Sequence, residues 1–227
     1  MKVALAQINP TVGALENNVR KLKGIIKENT GKCDIIVFPE MVLTGYPPQD
    51  LLLDGSFIQK AQNALDRIVA SSGATPVIIG TIRQESDSLF NTAAVIQDGL
   101  IIAYRDKAHL PTYDVFDEDR YFTSAESVKP VQLYINGREY KLGLQICEDR
   151  WDESYEMKVS RELCNQGSEF LINISASPFH INRLEERLEI IKYKASHLKC
   201  NFIYCNLVGA QDELVFDGQS CIVSPSG

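Results

Sequence analysis

Two dipeptides, Asp98-Gly99 and Asn136-Gly137, each sit inside a long apolar run, "LFNTAAVIQDGLIIAYRDK" and "VQLYINGREYKLGLQI". Two-residue turns of this composition accept positive φ at both positions, and they reverse the chain with the twist that antiparallel strands require. The chain is therefore committed to two hairpins. Around them lie helical stripes: Leu15, Val19, Leu22 and Ile26, which Gly31 can end, then Phe57, Ala61, Leu65 and Ile68, and later Leu184, Leu188, Ile191 and Ala195. Short β-branched runs separate the stripes: "KVALAQI", "DIIVFPE", "PVIIGTI", "EFLINIS" and "NFIYCNL", with a last hairpin behind them. Local hairpins combined with strand-helix-strand units exclude an all-helical or purely parallel architecture. They imply an α/β fold with antiparallel pieces, and suggest two mixed sheets facing each other under outer helices.

With 227 residues and 44% hydrophobic content, the chain can bury one substantial core, and residues 1–227 read as a single domain. Its 30 acidic against 23 basic residues give a net charge of −7, which argues against a nucleic-acid partner. No window approaches the ~18 apolar residues of a membrane span, and "MKVALAQINP" runs straight into a strand, so the expectation is a cytoplasmic protein without a membrane partner. The six cysteines contain no C-x-x-C pair, so spacing suggests neither a metal site nor a disulfide framework. The closing "ELVFDGQSCIVSPSG" reads as two strands' worth of residues followed by a turn. Because a turn normally feeds a partner strand, the polypeptide is expected to continue.

Three residues draw attention because each ends an apolar segment. Pro39 stops the strand of "DIIVFPE" and leaves Glu40 just beyond it, Lys107 follows "LIIAYRD", and Cys147 ends "LGLQI". An isolated cysteine at a strand end is more often a buried small hydrophobe than a nucleophile. A nucleophilic thiol needs a base and a positive group or amides for the oxyanion. Of the three histidines, His197 lies on a charged helix, and neither His109 nor His180 has the setting of a triad member. A carboxylate is the other choice: Glu40 as the base, with Lys107 supplying the charge.

Four blocks in order, "FPEMVLTGYPPQDLL", "KAHLPTYDVFDEDRYF", "LQICEDRW" and "NISASPFH", resemble the nitrilase (carbon-nitrogen hydrolase) superfamily over nearly the whole chain. Within it, "LTGYPPQDLL" and "LPTYDVFDEDRYF" most resemble the glutaminase domain of glutamine-dependent NAD synthetases. The resemblance implies a four-layer α-β-β-α sandwich of two mixed sheets and a Glu40-Lys107-Cys147 triad. Glu40 would act as general base, Cys147 as the nucleophile forming a glutamyl thioester, and Lys107 as the oxyanion stabiliser, with Glu118 as a second glutamate orienting the lysine or the substrate. It implies that Arg183 grips the α-carboxylate of glutamine and that Glu148 takes the ammonium, in a pocket lined by Tyr46, Tyr113, Trp151 and Ser177.

No metal or cofactor is implied for this domain. ATP, Mg²⁺ and deamido-NAD⁺ belong to a downstream synthetase domain, whose Ser-Gly-Gly-x-Asp-Ser loop does not occur here. The chain thus reads as the glutaminase part, cut short at its C-terminus, with L-glutamine as substrate, a synthetase domain of the same polypeptide as partner, and a homo-oligomeric assembly. Two other readings stay open: a stand-alone amidase or carbamoylase of the same superfamily, and a non-catalytic assembly module.

Overall fold

The computed structural model describes residues 1–227. In chain order, β1 (Val3–Leu5), α1 (Leu15–Asn29), β2 (Ile35–Val37), α2 (Gly55–Val69) and β3 (Val77–Glu85) lead into the hairpin of β4 (Ser88–Gln97) and β5 (Leu100–Asp106). A second hairpin, β6 (Val131–Ile135) with β7 (Arg138–Ile146), is followed by α3 (Val159–Asn165), β8 (Phe170–Ser175), α4 (Arg183–Leu198) and β9 (Asn201–Asn206). The chain closes with β10 (Val208–Gln211), β11 (Leu214–Asp217) and β12 (Cys221–Val223). Both hairpin turns have positive φ at both residues, 50° and 74° at Asp98-Gly99 and 51° and 77° at Asn136-Gly137, as the dipeptides require.

Two five-stranded mixed sheets result, ordered β1-β2-β3-β4-β5 and β12-β9-β8-β7-β6. In the first, β1, β2 and β3 run parallel; in the second, β7, β8 and β9 do, and the hairpins supply the antiparallel strands. The expected last hairpin is β10 with β11, and β12 adds antiparallel to β9.

Alternation along each central strand sorts the side chains into layers. Ile35, Val37, Ile78 and Val95 of the first sheet meet Leu144, Ile146, Ile172, Ile174 and Ile203 of the second in the middle core. The intervening Ile36, Val77 and Ile79 pack outward on α1 and α2, while Leu171, Phe202 and Tyr204 pack outward on α3 and α4. Each fully buried Val, Leu or Ile contributes about 1.5–3 kcal/mol, so strands buried on both faces fix the sandwich.

One outer-layer expectation changes. The sequence predicts a buried face of Leu184, Leu188, Ile191 and Ala195 on the third helical stripe, but the buried residues of α4 are Arg187, Ile191, Lys194 and Ala195. The face is rotated because Arg187 pairs with Asp217 at 3.1 Å and Lys194 pairs with Asp152. The short helix α3 has only seven residues, too few for a stripe to register. No helix is long and apolar enough to cross a membrane.

Candidate active site

Glu40, Lys107 and Cys147 stand just beyond β2, β5 and β7, where strand pairing ends and side chains of both sheets can converge. All three are buried. Gly80 on β3 makes room for the first. A Cβ there would lie 2.3 Å from the Pro39 carbonyl oxygen and 2.6 Å from Glu40 Cα, so only glycine lets the glutamate segment lie against the sheet.

Lys107 Nζ donates to Glu40 Oε1 at 2.8 Å and to both oxygens of Glu118 at 2.8 Å. Burial alone would favour the neutral amine. The charges of Glu118 and Glu40 outweigh it and hold Lys107 well above the ordinary lysine value. Glu40 Oε1 also accepts from Asn91 Nδ2 at 2.8 Å, and Oε2 accepts from the backbone N–H of Ala176 at 2.8 Å. Burial raises the Glu118 carboxyl against the opposing pull of Lys107. Glu118 Oε1 accepts from Tyr46 Oη at 2.9 Å, so the Tyr46 hydroxyl is engaged with the second glutamate.

Cys147 opens a 3₁₀ turn, Cys147–Arg150, in the left-handed region at φ 42°, a strained conformation for a residue with a side chain. Burial and the nearby charge of Glu40 push its thiol up to about 12, with Lys107 and Arg150 pulling it down. The resting sulfur is therefore a protonated thiol beside a carboxylate, an arrangement in which attack needs general-base assistance. Asp149 ties this turn to the lysine segment: Oδ2 accepts from Ile146 N–H at 2.8 Å, and Oδ1 accepts from Ala108 N–H at 3.0 Å and His109 N–H at 2.9 Å.

Beside the turn, Glu148 accepts from Tyr113 Oη at 2.9 Å and Tyr155 Oη at 3.1 Å. The structure sets Arg183 over the Trp151 ring at 4.8 Å, with its Nη1 3.4 Å from Glu186 and its buried Nε unpartnered. Ser177 is buried, its hydroxyl receiving Arg150 and Arg187, each at 3.4 Å. Asn91, Asp149, Arg150 and Tyr155 join the site without a motif that singles them out, although Asp149 and Arg150 stand within "CEDRW". Asn91 reaches Glu40, Asp149 reaches Ala108 and His109, and Arg150 reaches Asn173 and Ser175, all on distant segments that no local spacing reveals; Tyr155 bonds Glu148, seven residues away. His180 and His197 are exposed; His109 is buried, hydrogen-bonds the Met157 carbonyl at 2.9 Å and stacks on Tyr155. No group of three or more His, Cys, Asp or Glu side chains is arranged to hold a metal ion.

Comparison with known proteins identifies the family and the fold. The carbon-nitrogen hydrolase family model matches residues 2–227. Glutamine-dependent NAD(+) synthetases of Aquifex aeolicus and Thermotoga maritima are 41% and 40% identical over 100% of this chain. The matched region is 39% of each relative, so the chain spans about two fifths of their length. The glutamine-dependent NAD+ synthetase structure from Acinetobacter baumannii superposes with a TM-score of 0.87 at 31% identity, covering 99% of this chain and 41% of that one. An amidase from Nesterenkonia sp. shares the fold at a TM-score of 0.82 and 20% identity, covering 100% of this chain and 83% of its own. A match along essentially the whole chain, joined to the buried glutamate, lysine and cysteine at three strand ends, establishes that the chain belongs to the carbon-nitrogen hydrolase family.

Proposed function

We propose that this chain hydrolyses the side-chain amide of L-glutamine through a Cys147 thioester and releases ammonia for the ATP-dependent amidation of deamido-NAD⁺ by a synthetase domain. The observation that carries the reading is Lys107, held between Glu40 and Glu118 beside a thiol on a strained turn. Glu40 takes the thiol proton as sulfur attacks the amide carbon. The tetrahedral oxyanion is met by Lys107 and the Glu148 backbone N–H, and the proton passes from Glu40 to the leaving ammonia. Water, activated by Glu40, then attacks the thioester and releases glutamate and the Cys147 thiol. The chemistry needs no metal in this domain.

Selection of a free amino acid supports glutamine over a simple amide. Arg183 keeps a buried, unpartnered Nε, and Glu148 offers a carboxylate for the α-ammonium. The amidase that shares the fold makes a simple amide the competing substrate. Arg183→Ala removes about two charge-assisted hydrogen bonds, ~3–6 kcal/mol together, and so lowers kcat/KM for glutamine by ~10²- to 10⁴-fold. The rate on a short aliphatic amide, which has no α-carboxylate, stays near that of wild type. Steady-state kinetics on both substrates decide the matter. If wild type hydrolyses the simple amide as well as glutamine and Arg183→Ala changes neither, glutamine is the wrong substrate.

A further inference from the structure

Four cationic side chains are buried in this protein: Lys107, Arg150, Arg187 and Lys194. Three have carboxylate partners, namely Glu40 and Glu118 for Lys107, Asp217 for Arg187 and Asp152 for Lys194. Arg150, wholly inaccessible, has none. Its Nη1 donates to the Cys147 carbonyl oxygen at 3.2 Å, to Asn173 Oδ1 at 3.2 Å and to Ser175 Oγ at 3.1 Å, and its Nη2 to Ser177 Oγ at 3.4 Å, while Nε has no partner. The guanidinium lies between the Trp151 and Tyr204 rings, 4.8 and 5.0 Å from their centroids. A buried charge answered only by neutral oxygens and π faces is expensive, several kcal/mol even after relaxation. Packing alone would be served as well by an apolar side chain of similar volume. The charge therefore needs an anion that the resting protein does not carry.

The nucleophile's own backbone indicates where that anion forms. The Cys147 carbonyl accepts from Arg150 and also from Asn173 Nδ2 at 3.4 Å. In a trans peptide the N–H points opposite to the carbonyl, so anchoring this oxygen inward turns the Glu148 N–H the other way, out of the turn. Cys147 itself sits at φ 42°. We infer that Arg150 is a positioning residue for the thioester chemistry, gripping the Cys147 carbonyl so that the Glu148 N–H faces the developing oxyanion, and countering with its unpaired charge the negative charge that appears on sulfur and oxygen during attack. The inference rests on the proposed glutaminase reading for its substrate, and on the geometry alone for its effect on the thiol.

The test uses the full chain with Arg150→Met, which keeps bulk and removes charge, and Arg150→Lys, which keeps charge but cannot reach all four oxygens. Alkylation of Cys147 by iodoacetamide is followed by intact mass, with Cys147→Ala as the blank for the other cysteines. Between about pH 7 and 9 the rate climbs with thiolate fraction. Loss of a neighbouring positive charge raises a thiol by about one unit, so Arg150→Met shifts that line down roughly tenfold at every pH. Arg150→Lys stays close to wild type in this assay. In glutamine hydrolysis both variants lose kcat, ~10²-fold for Met, with KM within about threefold, as removal of an oxyanion contact requires.

A folded Arg150→Met with an unshifted alkylation line, or a loss carried by KM, overturns the inference. Should Arg150→Met fail to fold, Arg150→Lys decides: reduced kcat at unchanged KM supports the assignment and unchanged kcat overturns it. If wild type ignores glutamine while the alkylation line still shifts, the substrate reading fails and the effect of Arg150 on the thiol stands.

Discussion

The two halves of the sandwich bury different things behind their sheets. Behind the first, α1 and α2 present Leu15, Val19, Leu22, Ile26, Phe57, Ala61, Ala64, Leu65 and Ile68, joined by one buried polar residue, Asn18. Behind the second, α4 puts Arg187 and Lys194 into the layer beside Ile191 and Ala195. The difference carries through to the site. The first half supplies an ion-paired set, the carboxylates of Glu40 and Glu118 around the single ammonium of Lys107. The second supplies Cys147 on a turn surrounded by arginines: Arg183 over Trp151, Arg150 between Trp151 and Tyr204, and Arg187 over Tyr204. On the proposed reading, the general base and the oxyanion-binding lysine come from one sheet, and the nucleophile with the Glu148 N–H and Arg150 from the other.

If one cation holds both carboxylates of the first half, removing it should do the most damage. Lys107→Met leaves Glu40 and Glu118 buried, facing one another without a cation between them. Breaking a buried ion pair by deleting one partner destabilises by ~3–5 kcal/mol, read as a lower urea midpoint with unchanged slope, and hydrolysis is lost as well. A variant as stable as wild type would mean that the carboxylates are not held by Lys107.

The outer layers can be separated in the same way. Leu22, on α1, is fully buried in the outer core of the first half. Leu22→Ala opens a cavity and costs ~2–5 kcal/mol. Assayed below its melting transition, the folded variant keeps wild-type kcat and KM for glutamine. A changed kcat would show that the first helical layer also tunes the site, and the contrast between the halves would fail.

The same contrast decides what could be read from sequence. The stripes of α1 and α2 are apolar and local, and their buried residues in the structure include those that the spacing picks out. The hairpins follow from two dipeptides, and the three strand-end residues from punctuation by Pro39 and by the ends of β-branched runs. Arg187 and Lys194 sit on a helix whose local pattern favours Leu184 and Leu188 for the core; acids at Asp217 and Asp152 override it, 30 and 42 residues away. Asn91, which donates to Glu40 from 51 residues away, reads as an ordinary strand residue in "LFNTAAV". Tyr46 and Ser177 were placed by resemblance at the pocket wall. Their hydroxyls are engaged with Glu118 and with Arg150 and Arg187, contacts that exist only once the sheets have stacked.

Asp149 is where the halves are fastened together, since one carboxylate accepts from Ile146 in the second and from Ala108 and His109 beside Lys107 in the first. Burial pushes its carboxyl up to about 7, against the pull of those three N–H groups and Lys107. An acid raised above its unfolded value of ~3.9 binds a proton on folding between those two pH values. Its contribution to stability is therefore fully present at low pH and is lost as pH rises through about 7. Asp149→Asn cannot ionise and turns its amide nitrogen toward one of the backbone donors, leaving a buried N–H unmatched at a cost of ~1–3 kcal/mol. Urea midpoints at about pH 5 and pH 8 separate the two effects. Wild type loses stability toward pH 8, whereas Asp149→Asn starts lower and changes less between the two conditions. Equal pH dependence in both proteins would place the titration elsewhere and leave Asp149 as a hydrogen-bonding clasp without a proton of its own.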